Sequence, residues 1–297
     1  MLEPTSCGAM ALDVSFDALD GYPLRGALFV PEKTVGGAVL IAGAMGVRQR
    51  YYRGFGEFLS RRGLASLTFD YRGIGESRRG PAQGLDASMI DWAERDLGGA
   101  VRALTSRFSE LPLLWVGHSL GGQLMGFVEA PVRAAVFVAS QSGYWRNWSG
   151  VPRILMRAVW AMIPPMVDLV GYLPMRRLGQ GEDVPSQVAC DWATWGKRPQ
   201  YLKQTADERG SRGYATWSGA LRSYAISDDG YAPIESVEAL VRLYRSAESE
   251  IRVVRPRDVG LSSIGHFGFF RPELASTLWG EAADWLLEAG VGSGGAP

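Results

Sequence analysis

Leu113-Leu114-Trp115-Val116-Gly117-His118-Ser119-Leu120-Gly121-Gly122 decides how the rest of the chain is read. Leu113 to Val116 is a short continuous apolar run, the pattern of a central strand buried on both faces. Gly117-x-Ser119-x-Gly121 follows it directly. Small residues there permit a sharp strand-to-helix turn that leaves the serine strained and exposed. Standing alone, the pattern recurs by chance as an ordinary packing turn; with a strand before it and a helix after it, it marks Ser119 as a nucleophile.

Outward from this turn, β-type runs alternate with helical patterns. Strands are expected at Ala38–Ala42, Ala65–Phe69, Ala134–Ala139, Leu221–Ile226 and Ile251–Arg255. Between them, Arg50–Arg62 places Tyr51, Phe55, Phe58 and Leu59 on one helical face, and Ser88–Phe108 repeats apolar residues at Ile90, Leu97, Val101 and Leu104. Further helices are expected at Ile234–Tyr244 and Pro272–Glu288. The alternation predicts an α/β fold: a mostly parallel, eight-stranded-type sheet with helices on both faces. Two segments depart from it. Leu12–Asp17 and Pro23–Val30 flank the Asp20-Gly21 turn signal and read as an antiparallel hairpin at the sheet edge. Residues 141–217, rich in Trp, Met, Pro and Arg, read as an inserted helical lid, leaving 1–140 and 218–297 as the core. No internal repeat is present, and the one biased tract is the Gly-rich tail.

A chain of 297 residues suits one such core plus an insertion. With 31 basic and 31 acidic residues the formal net charge is zero, so no global field favours nucleic acid or an anionic membrane. Cys7 and Cys190, far apart in sequence, argue against a disulfide framework or a thiolate metal site. The N-terminal stretch carries Glu3 and Asp13 and lacks a basic start before an apolar run, so it does not read as a signal peptide; a cytoplasmic address is expected. The longest apolar stretch, Ile154 to Leu173, is interrupted by Arg157, Pro164, Pro165 and Asp168, which reads as lid rather than as stable membrane insertion.

The chain has two histidines, so the search for a general base is short. Side chains of adjacent residues on a tight turn diverge, which disfavours His118. His266 lies in Ser263-Ile264-Gly265-His266-Phe267-Gly268, between the last strand and last helix, and is the expected base for Ser119. The acid that orients it is expected after a later strand, in Ser227-Asp228-Asp229-Gly230-Tyr231-Ala232-Pro233. The usual spacing of this turn, Asp then three residues then Pro, favours Asp229 and leaves Asp228 to bond its own backbone. Oxyanion donors are expected from the Leu120 N–H and from Gly43-Ala44-Met45-Gly46, with Ala44 preferred and Met45 the alternative.

Gly117–Gly122, Phe69-Asp70-Tyr71-Arg72-Gly73-Ile74-Gly75-Glu76-Ser77, Ser227–Pro233 and the stretch from Ile264 to Pro272 together resemble the α/β-hydrolase superfamily. More narrowly, Gly43–Tyr52, Phe69–Ser77, Ser142–Trp148 and Ile264–Arg271 resemble a group of bacterial predicted α/β-hydrolases. The resemblance implies the fold and a Ser-His-Asp triad rather than a substrate. Ala42 departs from it, standing where many esterases and lipases carry His.

The insertion contributes Trp145, Trp148, Trp160, Trp192, Trp195 and Trp217 with Met156, Met162, Met166 and Met175, enough apolar surface to roof a hydrophobic pocket, although each could equally pack the lid on the core. Arg146, Arg153, Arg157, Arg176 and Arg177 could meet a carboxylate or phosphate, or simply be solvated. The expected partner is a small hydrophobic acyl compound, with no nucleic acid, no cofactor and no metal; oligomeric state is left open. The expected chemistry is hydrolysis of a carboxylic ester or thioester through an acyl-enzyme. Acyl transfer to a non-water acceptor and a non-catalytic binding role on the same fold are the alternatives.

Overall fold

The computed structural model describes residues 10–33 and 36–291; Cys7, the N-terminal stretch through Ala9 and the Gly-rich tail lie outside the described residues. β1 (Met10–Asp17) and β2 (Pro23–Val30) form the expected hairpin, with Asp17 opposite Pro23 and Gly21 in the left-handed region at φ 84°. β3 (Gly37–Ala42), β4 (Leu64–Phe69) and β5 (Leu113–His118) are buried throughout, because helices cover both faces of the sheet. β6 is Val132–Val138; β7 (Tyr172–Leu173) and β8 (Val184–Pro185) pair only with each other; β9 is Ala220–Ile226 and β10 is Glu248–Val254. The eight-stranded sheet runs β1-β2-β4-β3-β5-β6-β9-β10. β2 is antiparallel to both neighbours, and every pairing from β4 onward is parallel.

Helix α1 (Arg53–Arg61) buries Phe55 and Leu59, as its apolar spacing requires. A 3₁₀ turn, Gln49–Tyr52, precedes it, so Tyr51 leaves the helical face and is 36% exposed while Tyr52 turns inward. The Ser88–Phe108 region opens with a π-turn at Asp91–Asp96 before α2 (Leu97–Arg107). α3 (Leu120–Gln123) starts immediately after Ser119. The single helix expected from Pro272 is instead a 3₁₀ turn (Pro272–Leu274) and a π-turn (Ala275–Trp279), followed by the last helix (Gly280–Val291). The wider turn seats Trp279, whose buried Nε1–H donates to the Phe269 carbonyl at 2.6 Å.

Between β6 and β9 lie α4 (Gly150–Val170), α5 (Ser186–Lys197), α6 (Lys203–Glu208) and α7 (Gly213–Thr216); α8 (Ile234–Val241) and α9 (Gly280–Val291) complete the chain. α4 buries Trp160, Ile163 and Val167, whereas Val151, Ile154, Leu155, Val159, Met162 and Leu169 are exposed. Among the described residues no helix is long and apolar enough to cross a membrane. Trp160 packs edge-on against Trp192 of α5 at 4.6 Å between ring centres. A polar chain then joins the insertion to the core. The Trp192 N–H donates to Tyr201 Oη, the Tyr201 O–H to Gln123 Oε1, Gln123 Nε2 to Gln141 Oε1, and Gln141 Nε2 to the Tyr231 carbonyl.

Candidate active site

Ser119 follows the last residue of β5 at φ 50° and ψ −110°, a conformation that side-chain-bearing residues seldom adopt. The flanking glycines make it possible. A Cβ on Gly121 would lie 2.0 Å from the Ala42 carbonyl oxygen, and one on Gly117 would lie 2.4 Å from the Gly122 nitrogen. The strand therefore turns into α3 with no room for side chains, and the Leu120 N–H, first in that helix, has no intrahelical acceptor. Ser119 and His266 line one chamber of about 80 Å³, together with Ala44, Met45, Gln141, Met175, Gln180, Trp192, Tyr231 and Phe267.

His266 Nδ1 lies 2.7 Å from Asp229 Oδ2, with the two side chains 8% and 0% exposed. Asp229 Oδ1 accepts the Tyr231 and Ala232 N–H groups at 2.8 and 3.1 Å, so this carboxylate makes its own turn as well as the histidine contact. Asp228 does not bond its own backbone, as the sequence suggested. Its carboxylate reaches across to accept the Ile264 and Gly265 N–H groups at 3.0 and 3.1 Å, bracing the loop that carries His266. A Gly in the left-handed region, Gly265 at φ 61°, lets that loop turn towards both aspartates.

His118, discounted because it adjoins Ser119, has both ring nitrogens engaged. Nε2 lies 2.9 Å from the His266 carbonyl, and Nδ1 lies 2.9 Å from Tyr52 Oη. A carbonyl only accepts, so Nε2 carries the hydrogen; burial pushes the His118 pKa down to about 3, keeping the ring neutral and Nδ1 an acceptor for the Tyr52 O–H. Burial likewise holds the Tyr52 phenol protonated. The same Tyr52 oxygen receives the Ala44 N–H at 2.8 Å. Ala44, the expected oxyanion donor, thus has its N–H directed to Tyr52, which the 3₁₀ segment turns inward. On that loop the Met45 N–H has no partner among the described residues, and neither has the Gly46 N–H.

Of the aromatic and methionine set in the insertion, Trp192 and Met175 line the chamber. Trp148 and Trp217 donate to the carbonyls of Gly230 and Val132, packing the insertion on the core, Trp160 donates to the Gly143 carbonyl within the insertion, and Trp195 stacks on Phe127. Met162 points to solvent at 57% exposure. Arg146 and Arg157 both lie over Trp145, and Arg153 donates to the Trp148 carbonyl. The Phe69–Ser77 motif is structural. Asp70 accepts the Gln49 and Glu76 N–H groups, and burial lifts its pKa to about 6. Arg72, 4% exposed, bridges Asp20 and Asp96.

Sheet order, a strained serine between strand and helix, and a histidine–aspartate pair on later loops define an α/β-hydrolase fold. The sequence profile of the Alpha/beta hydrolase family matches residues 38–276, and the chain belongs to that family. Among solved structures it is similar to a soluble variant of monoglyceride lipase from Saccharomyces cerevisiae in complex with a substrate analog: 15% identity over 96% of this chain and 98% of that one, TM-score 0.69. It is also similar to the Pyrococcus furiosus esterase Pf2001, at 14% identity over 96% and 95% of the two chains and TM-score 0.58. The esterase EaEST from Exiguobacterium antarcticum covers 93% of this chain with all of its own, at 15% identity and TM-score 0.60. No curated protein matches the sequence.

Proposed function

We propose that this chain is a serine hydrolase that cleaves a carboxylic ester or thioester of a small acyl compound. The observation that carries the reading is the Asp229–His266 hydrogen bond of 2.7 Å, with His266 and the strained Ser119 lining one chamber. In this reading Asp229 accepts the Nδ1–H and fixes the tautomer, so Nε2 is free to take the Ser119 proton. The serine oxygen attacks the carbonyl carbon. The oxyanion meets the Leu120 and Met45 N–H groups, and His266 returns the proton to the departing alcohol or thiol. Water, deprotonated by His266, then releases the acid and restores Ser119.

The 141–217 insertion acts as a lid in this account, closing the chamber with Trp192 and Met175. Ligand pockets commonly span roughly 300–1,000 Å³, so a chamber of about 80 Å³ favours a short acyl group in the closed form. The test is a series of p-nitrophenyl esters graded by chain length. An optimum at acetate to butyrate, lost in Ser119→Ala and His266→Ala variants that still unfold cooperatively, supports the reading. Full turnover in either variant contradicts it.

A further inference from the structure

The chamber does not end at Ser119. Gln180 and Phe267 line it and also line a second, open cavity of about 790 Å³ on the same side of the molecule. The walls of this outer cavity include Arg48, Arg50 and Arg176, against a single carboxylate, Glu182. Glu182 is 8% exposed, and it is shared: Arg48 Nε donates to it at 2.7 Å, Arg176 at 2.8 and 2.9 Å, and Arg78 at 3.0 Å. Asp183, whose carboxylate accepts the Arg176 backbone N–H at 3.0 Å, is a second negative charge beside them, so three guanidiniums against two carboxylates leave a small local excess of positive charge. Arg50 adds to it, with no ion pair among the described residues.

The position of these groups follows from the backbone. Arg48 and Arg50 stand three and five residues beyond Met45 on one loop. That loop is tied to the Glu182 loop by the Glu182 N–H, which donates to the Gly46 carbonyl at 2.7 Å. Guanidinium forks recognise carboxylate and phosphate oxygens. The chamber at Ser119 is narrow and largely apolar; the space outside it is wide and cationic.

We infer that the outer cavity is a subsite for an anionic group, a carboxylate or a phosphate, on the alcohol or thiol side of the substrate, held by Arg50 and Arg176 with Arg48 beside them. The inference rests on the reading of Ser119 as the nucleophile. It adds that the preferred substrate pairs a short acyl group with a negatively charged leaving portion.

The test compares acetate release from three acetate esters: neutral ethylene glycol monoacetate, the acetate ester of glycolate, and 1-acetylglycerol 3-phosphate. The expected result is a kcat/KM for one or both anionic esters roughly ten- to a hundred-fold above the neutral one, the range that charge-assisted hydrogen bonds supply. The arm that wins identifies carboxylate or phosphate. The advantage should shrink as salt rises from about 20 mM to about 0.5 M, since screening weakens partly exposed charge pairs. In Arg50→Gln/Arg176→Gln the anionic-to-neutral ratio should fall towards one, mainly through KM. Equal kcat/KM for all three esters in the wild type, or a preference that survives the double substitution, overturns the subsite and leaves the hydrolase standing. Failure to cleave any ester, together with no serine-probe adduct on Ser119, removes both.

Discussion

Asp229 and Asp228 are neighbours with separate tasks, and their substitutions should separate. Asp229→Asn keeps the shape but favours the wrong imidazole tautomer, and a fall in kcat of about 10⁴ is expected, as for other orienting aspartates. Asp228→Asn weakens two backbone contacts to the His266 loop without touching the ring, so the loss should be far smaller and accompanied by a lower Tm. Steady-state kinetics and thermal melts on both variants check this. The sequence could favour Asp229 through its spacing to Pro233, yet it could not reveal what Asp228 holds, because the Ile264 and Gly265 amides lie 36 and 37 residues away. For a related reason, nothing local to Gly43–Gly46 tells that a tyrosine eight residues on takes the Ala44 amide.

His118 makes stability depend on pH. Its folded pKa of about 3 lies below the ordinary value of 6.5, so between those limits the unfolded chain binds a proton that the folded chain does not. Stability is therefore lost as pH falls through that window, at up to about 1.4 kcal/mol per pH unit. Asp70 opposes this. Its folded pKa of about 6 exceeds 3.8, so the folded state binds the extra proton and stability from this group falls as pH rises from 3.8 to 6. Denaturant titrations of wild type and His118→Asn isolate the histidine contribution: the wild type should lose more stability than the variant on going from pH 7 to 5. Parallel curves would show that His118 does not titrate as its burial implies.

At the scale of elements, the sheet was readable because its central strands carry short apolar runs, Ala38–Ala42 in β3 and Leu113–Val116 in β5, and the hairpin because Asp20-Gly21 supplies a turn that β1 and β2 need. The insertion was readable only as a region. Its helices are placed by contacts distant in sequence, such as the Trp192–Tyr201–Gln123–Gln141 chain, which no periodicity encodes. Tyr201 is fully buried at the centre of that chain. Tyr201→Phe should cost about 1–3 kcal/mol by leaving Trp192 Nε1 and Gln123 Oε1 unpaired, measured by chemical denaturation. Arg72 ties the β1–β2 turn to the start of α2 through Asp20 and Asp96. Arg72→Met removes the guanidinium from the buried Asp96 carboxylate, which keeps only the backbone N–H of residue 72, and should cost about 3–5 kcal/mol.

Across the whole molecule, a mostly parallel sheet carries Ser119 at the end of a central strand, later loops hold the Asp229–His266 pair, and Trp192 and Met175 line the chamber that Ser119 and His266 share. The proposed hydrolysis stands on Ser119 as an activated nucleophile. Intact-protein mass spectrometry after treatment with a fluorophosphonate tests it most directly, with peptide mapping to locate the adduct. One adduct is expected, on Ser119, present in the wild type and absent from folded Ser119→Ala and His266→Ala. An unlabelled, folded wild type, or an adduct on another residue, would contradict it.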